Sequence, residues 1–183
     1  PILTPMAVDA GRPFPLIANR SLNLCVHITQ PDAEPDQPAD LAIVQVPAVI
    51  PRLVALPGAE FQDFVLLEDV IRLNISQLFS GVTIGRVSCF RIMRNADLTL
   101  DEEEATDLLK EIEKQLKMRQ WGEVIRLEVE DGFDQVMQAR LISYLQINPQ
   151  DIYTIDGPID LTGLNVLCSL PGQSAFRYAP YQP

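Results

Sequence analysis

The chain has 183 residues, 47% of them hydrophobic and 21% charged, which suits one well-buried domain and excludes global disorder. Twenty-five acidic residues against 14 basic ones leave a net charge of -11, a field that repels nucleic acid and other polyanions unless a local basic patch overcomes it. The imbalance is uneven: residues 1–95 carry seven basic and nine acidic groups, residues 96–183 seven and sixteen, so if any anion is bound the first half is the better place for it.

The opening PILTPMAVDAGRPFPLIANR is punctuated by prolines and reads as extended, because each proline biases its predecessor away from helix. In SLNLCVHIT, Leu22, Leu24, Val26 and Ile28 alternate as in a half-buried strand. Residues 31–40 hold three prolines, four acids and no large apolar group, a loop by composition. LAIVQVP and RLVALPG read as two short strands closed by prolines. Leu67, Val70, Ile71, Asn74, Ile75 and Leu78 recur at helical spacing, predicting an amphipathic helix through LEDVIRLNISQLF that stops near Gly81.

Residues 82–93 return to strand character. Thr99 and Glu102 have the spacing of a capping box, and the following segment places Ala105, Leu108, Leu109, Ile112 and Leu116 on one helical face. Its acidic start (Asp101 to Glu104) and basic end (Lys114, Lys117, Arg119) match the helix macrodipole, and Trp121-Gly122 ends it. EVIRLEVE predicts a strand with Ile125, Leu127 and Val129 on one side. FDQVMQARLISYL predicts a helix with Phe133, Val136, Met137, Leu141, Tyr144 and Leu145 inward, stopped by Asn148-Pro149 and followed by a last strand, DIYTID. The sum is an α+β class: a single domain with a mixed β-sheet and two to three flanking helices.

Chemistry is sparse. Cys25, Cys89 and Cys168 lie far apart among apolar neighbours and read as buried free thiols in a reducing compartment. His27 is the one histidine, so any histidine-dependent nucleophilic device has to use it, but it falls out of phase with the apolar face of its strand and reads as a strand-surface residue. Neither glycine-rich phosphate loop, G-x-x-x-x-G-K-[ST] or G-x-G-x-x-G, occurs. The run DEEE fans around a helix and cannot converge on one cation without partners. Arg91 and Arg94 in CFRIMRNADL, with Arg52 in VIPRLV, remain as contacts for an anion or for carboxylates of this or a neighbouring domain. On a strand, Arg91 and Arg94 sit on opposite faces. No apolar run is long enough for a membrane span, no charged leader precedes an apolar core, and a start at Pro-Ile-Leu-Thr-Pro reads as a piece of a longer protein.

LTPMAVDAGRPFPLIANRSLNL, VQVPAVIPRLVALPG, FVLLEDVIRLNISQLF, CFRIMRNADLTLDEEEATDLL, GEVIRLEVE and IYTIDGPIDLTGL resemble, in that order, the middle region of bacterial polyphosphate kinases. The resemblance implies a middle (head) domain over residues 1–164, with 165–183 a proline-rich segment leading toward catalytic domains outside this chain. It implies an α+β fold, a role in assembly and interdomain positioning, and no catalytic, cofactor or metal residue here. ATP and Mg belong to the parent, which transfers the terminal phosphate of ATP reversibly to long-chain polyphosphate. The implied partners are the N-terminal and catalytic domains of the same chain and further copies of the parent. Polyphosphate contact is weak, and nucleic acid and a membrane span are not expected. The parent is expected in the cytoplasm, with peripheral membrane attachment an option. Two alternatives stay open: a module gripping polyphosphate or phosphoinositide headgroups through Arg52, Arg91 and Arg94, and a small stand-alone phosphate-handling enzyme with His27 as nucleophile.

Overall fold

The structure, a computed structural model, describes residues 2–8, 14–31, 40–58, 63–95, 122–172 and 176–178. The capped amphipathic helix expected after Thr99, and Trp121 at its end, lie outside these residues. Eight strands and two α-helices are described: β1 (Pro5–Val8), β2 (Leu22–Thr29), β3 (Asp40–Gln45), β4 (Leu53–Ala55), β5 (Phe64–Leu66), α1 (Leu67–Leu73), β6 (Thr83–Arg94), β7 (Val124–Glu130), α2 (Gln135–Leu145) and β8 (Ile152–Ile155). Six strands form one sheet in the order β1-β3-β2-β6-β7-β8, while β4 and β5 pair separately. Every pairing in the six-stranded sheet is antiparallel except β7 with β8. That parallel pair requires a crossover, and α2 supplies it.

The sheet is covered on both faces. Cys25, Leu41, Ile43, Phe90, Ile92, Leu127 and Val129 project to one side and pack with Met137, Leu141 and Leu145 of α2. Leu22, Leu24, Val26, Ile28, Ala42, Val44 and Cys89 project to the other and pack with Leu67 and Ile71 of α1. Successive residues of β2 and β3 therefore alternate between two cores rather than between core and water, which is why Leu22–Val26 and Leu41–Val44 are buried without interruption. The ring of Phe14 stacks on Tyr144 of α2 at 5.2 Å between centroids.

Four details depart from the sequence expectations. Ile125 is 48% exposed, because the pairing of β6 with β7 slips between Met93 and Arg94. Met93 faces Arg126 and Arg94 faces Val124, so Ile125 is the extra residue of a β-bulge and Val124 takes its place in the core. Val136 is 65% exposed: it occupies the first turn of α2, where Phe133 and Met137 already cover the sheet. The helix at Leu67 ends at Leu73, with the exposed Asn74 before a separate 3-10 turn, Ile75–Leu78. Cys168 is exposed, while Cys25 and Cys89 are buried.

The start of α2 is local chemistry. Asp134 stands at the N-cap in extended conformation and its Oδ1 accepts from the backbone N–H groups of Val136 and Met137 at 2.9 and 3.0 Å. Gln146 closes the helix in the left-handed region, φ 53. Among the described residues no helix is long and apolar enough to cross a membrane.

Candidate functional site: a buried arginine and carboxylate network

The charged groups of greatest burial gather on the α1 side of the sheet. Glu68 and Glu128 are 4% and 6% exposed, values that a carboxylate tolerates only when it is paired. Glu68 stands in the first turn of α1, favourable for a negative charge, and faces Arg52 at the entry to β4. Arg52 Nε donates to both Glu68 oxygens at 3.0 and 3.1 Å, and Nη2 donates to Oε1 at 2.5 Å. The remaining edge of the same guanidinium donates to the backbone carbonyls of Asp160 and Ile159. The backbone joins in, because the Leu67 N–H donates to the Arg52 carbonyl at 2.7 Å. Desolvation alone lowers the Arg52 pKa, but its hydrogen bond to Glu68 and the nearby charges of Glu68 and Asp160 reverse that and raise it.

Arg91 sits across the sheet surface from Arg52. Its Nη1 lies 3.5 Å from Glu128 on β7 and 3.2 Å from the Asp160 carboxylate. Arg126 Nε pairs with the other Glu128 oxygen at 2.9 Å, and its guanidinium lies 4.0 Å over the ring of Tyr153 on β8. Arg72 of α1 donates to Glu130 of β7 at 2.6 Å, and burial opposed by that carboxylate leaves its pKa raised. α1, β6, β7 and the turn around Asp160 are thus tied by ion pairs, and β8 joins through the cation–π contact of Tyr153.

Arg94 points to the opposite face, as its position three residues after Arg91 requires. Its Nε and Nη1 donate to the carbonyls of Ile17 and Gly122 at 3.3 and 2.9 Å, and its backbone N–H donates to Asn19 Oδ1 at 2.9 Å. Desolvation lowers its pKa. The three arginines singled out from sequence are therefore not one constellation: Asp160 brings Arg52 and Arg91 together, and Arg94 stands apart. Sequence reading missed Glu68, Glu128 and Asp160. Nothing in a strand or helix period marks a contact between residues 16 or 108 positions apart.

His27 is half-buried at the slip in the pairing of β2 with β6, against Gly85, where a Cβ would collide with its ring. Among the described residues no acidic or cysteine side chain pairs with it. Among the described residues no group of three or more His, Cys, Asp or Glu is arranged to hold a metal ion. Burial pushes the Cys25 thiol up to about 12 and the Cys89 thiol higher, so both stay protonated at neutral pH.

A half-open groove of 590 Å³ runs beside the network, lined by Arg20, Val46, Pro47, Ile50, Arg52 and Val166 among others. The wall carrying Arg52 and Asp160 is part of the network itself.

Taken together, these features define an α+β domain in which Arg52, Arg72, Arg91 and Arg126 pair with carboxylates on the α1 face of the sheet. The chain belongs to the polyphosphate kinase middle domain family, whose model matches residues 1–167. It is 51% identical over 166 residues to a polyphosphate kinase of Halalkalibacterium halodurans, covering 90% of this chain and 23% of that relative. It is 44% identical over 182 residues to that of Lactiplantibacillus plantarum, covering 99% and 25%. The crystal structure of polyphosphate kinase from Porphyromonas gingivalis shares the fold with a TM-score of 0.67 at 22% identity, covering 99% of this chain and 24% of that one. The chain thus spans about a quarter of the length of the relatives it matches.

Proposed function

We propose that this domain holds the other parts of a longer polyphosphate kinase in working register, and that the parent transfers the terminal phosphate of ATP to a growing polyphosphate chain. The observation that carries this reading is the match of residues 1–167 to the middle domain of a family whose curated members are about four times longer. The buried network supports the structural part of it. Arg52 and Arg91 meet carboxylates and carbonyls of the same chain, so they bind parts of this domain to one another rather than facing outward for a phosphate.

In this reading residues 1–164 are the domain proper and 165–183 lead toward the catalytic part, where ATP and Mg are bound. The partners are the flanking domains and further copies of the parent, working in the cytoplasm. The test is synthesis of acid-insoluble polyphosphate from ATP by the full-length parent and by the 183-residue chain. Synthesis by the parent and none by the chain alone is the expected result. An inactive parent, or a chain active by itself, overturns the reading.

A further inference from the structure

The stretch from Gly157 to Leu170 crosses the α1 face after β8. Within it only Ile159 is buried, at 2% exposure. The nine-residue 3-10 helix that follows, Leu161–Ser169, buries no residue, and Leu161 and Val166 are 64% and 50% exposed. A helix of this kind has poor hydrogen-bond geometry and seldom persists beyond three or four residues without outside support. Its direction is set by what holds its N-cap residue.

That residue is Asp160, in the left-handed region at φ 60. Its carboxylate lies 3.2 Å from Arg91 and accepts from the Thr162 hydroxyl at 2.5 Å. Its carbonyl accepts from Arg52 Nη1, and the carbonyl of Ile159 accepts from Arg52 Nη2 at 2.5 Å. Gly163 packs on the same guanidinium stem: a Cβ there would meet Arg52 Cδ at 2.7 Å. Arg52 is itself fixed to Glu68 on α1, and Arg91 to Glu128 on β7. The turn is therefore clamped to a helix and to the sheet at once, through the planar fork of Arg52, whose geometry lysine cannot reproduce, and through the ion pairs of Arg91 Nη1.

We propose that Arg52, Arg91 and Asp160 form a latch that sets the direction in which the chain leaves this domain, and that in the full-length enzyme they are positioning residues for phosphate transfer. They act through the Leu161–Ser169 helix, whose orientation they pass to whatever follows it. This rests on the reading of the chain as the middle domain of a polyphosphate kinase.

Asp160→Asn is the sharpest probe. Asparagine tolerates the left-handed backbone and keeps the Thr162 contact, but it removes the charge facing Arg91, which retains Glu128. Arg52→Lys is the second variant, keeping a charge for Glu68 while losing the simultaneous hold on two carbonyls. Amide hydrogen exchange on the 183-residue chain is expected to speed up roughly tenfold or more across 159–167 and to stay unchanged in β2 and β6. Unchanged exchange at 159–167 in both variants, or a rise spread evenly over the sheet, overturns the latch whatever the parent does.

In the full-length parent, both substitutions are expected to lower kcat and to move the KM for ATP or polyphosphate by about threefold or more. A smaller folded fraction lowers kcat alone. Local loosening with kcat and KM unchanged overturns the positioning role and leaves the family reading intact. A wild-type parent that makes no polyphosphate overturns that reading, and the positioning role with it.

Discussion

Arg52, Arg91 and Arg94 share a side chain and differ in everything around it. Arg52 meets a carboxylate and two carbonyls, Arg91 two carboxylates, and Arg94 carbonyls and no carboxylate among the described residues. The thiols divide in the same way. Cys168 is exposed, so a disulfide-exchange reagent should label one thiol of the folded chain promptly and the other two only after denaturation. The buried pair also bends the pH profile. A thiol kept neutral by folding contributes stability that is whole below its unfolded pKa, near 9, and is lost as pH rises toward its folded value, about 12 for Cys25. Unfolding free energies from urea titrations of the wild type should therefore fall more steeply with pH above about 9 than those of Cys25→Ala, by roughly 1 kcal/mol per pH unit. Equal slopes would show that Cys25 titrates in the folded state as it does unfolded.

At the level of elements, two contacts are open to direct test. Asp134→Ala removes both N-cap bonds of α2 and is expected to cost about 1 kcal/mol, read as a lower melting temperature. Gly85→Ala drives a methyl group into the imidazole of His27 and should cost roughly 1–3 kcal/mol. Most of that loss should return in the His27→Ala background, where the ring is gone. A Gly85→Ala penalty of equal size in both backgrounds would locate the strain elsewhere.

These elements also show where a sequence is readable. Leu22, Leu24, Val26 and Ile28 do share a face, and the helix over residues 135–145 lies where its apolar spacing put it. Ile125 does not, because a bulge depends on the partner strand and leaves no trace in the period of its own. The break at Asn74 is similar: the apolar spacing continues through Ile75 and Leu78 while the backbone changes from α to 3-10. Of the site, arginine positions were legible and their carboxylates were not. Glu68 reads as an ordinary first-turn acid and Asp160 as an ordinary turn residue until the fold brings each of them against an arginine.

On the scale of the whole molecule, a net charge of -11 and the engagement of Arg52 and Arg91 with carboxylates disfavour capture of a polyanion by this chain. Long-chain polyphosphate is expected to bind the 183-residue chain with Kd above roughly 0.1 mM at physiological salt, checked by titration calorimetry. Tight binding that weakened steeply with salt would instead point to a basic surface, with Arg20 at the mouth of the groove the first residue to replace.

The strand order has a mechanical meaning as well. β1 and β8 are the two rims of the six-stranded sheet. At about 4.8 Å per step the rims stand roughly 24 Å apart. A twist of about 20–25° per step turns one rim strand from the other by roughly 100–125°. In the proposed positioning role such a sheet is a gauge block: it sets an offset and a rotation between what joins one rim and what joins the other.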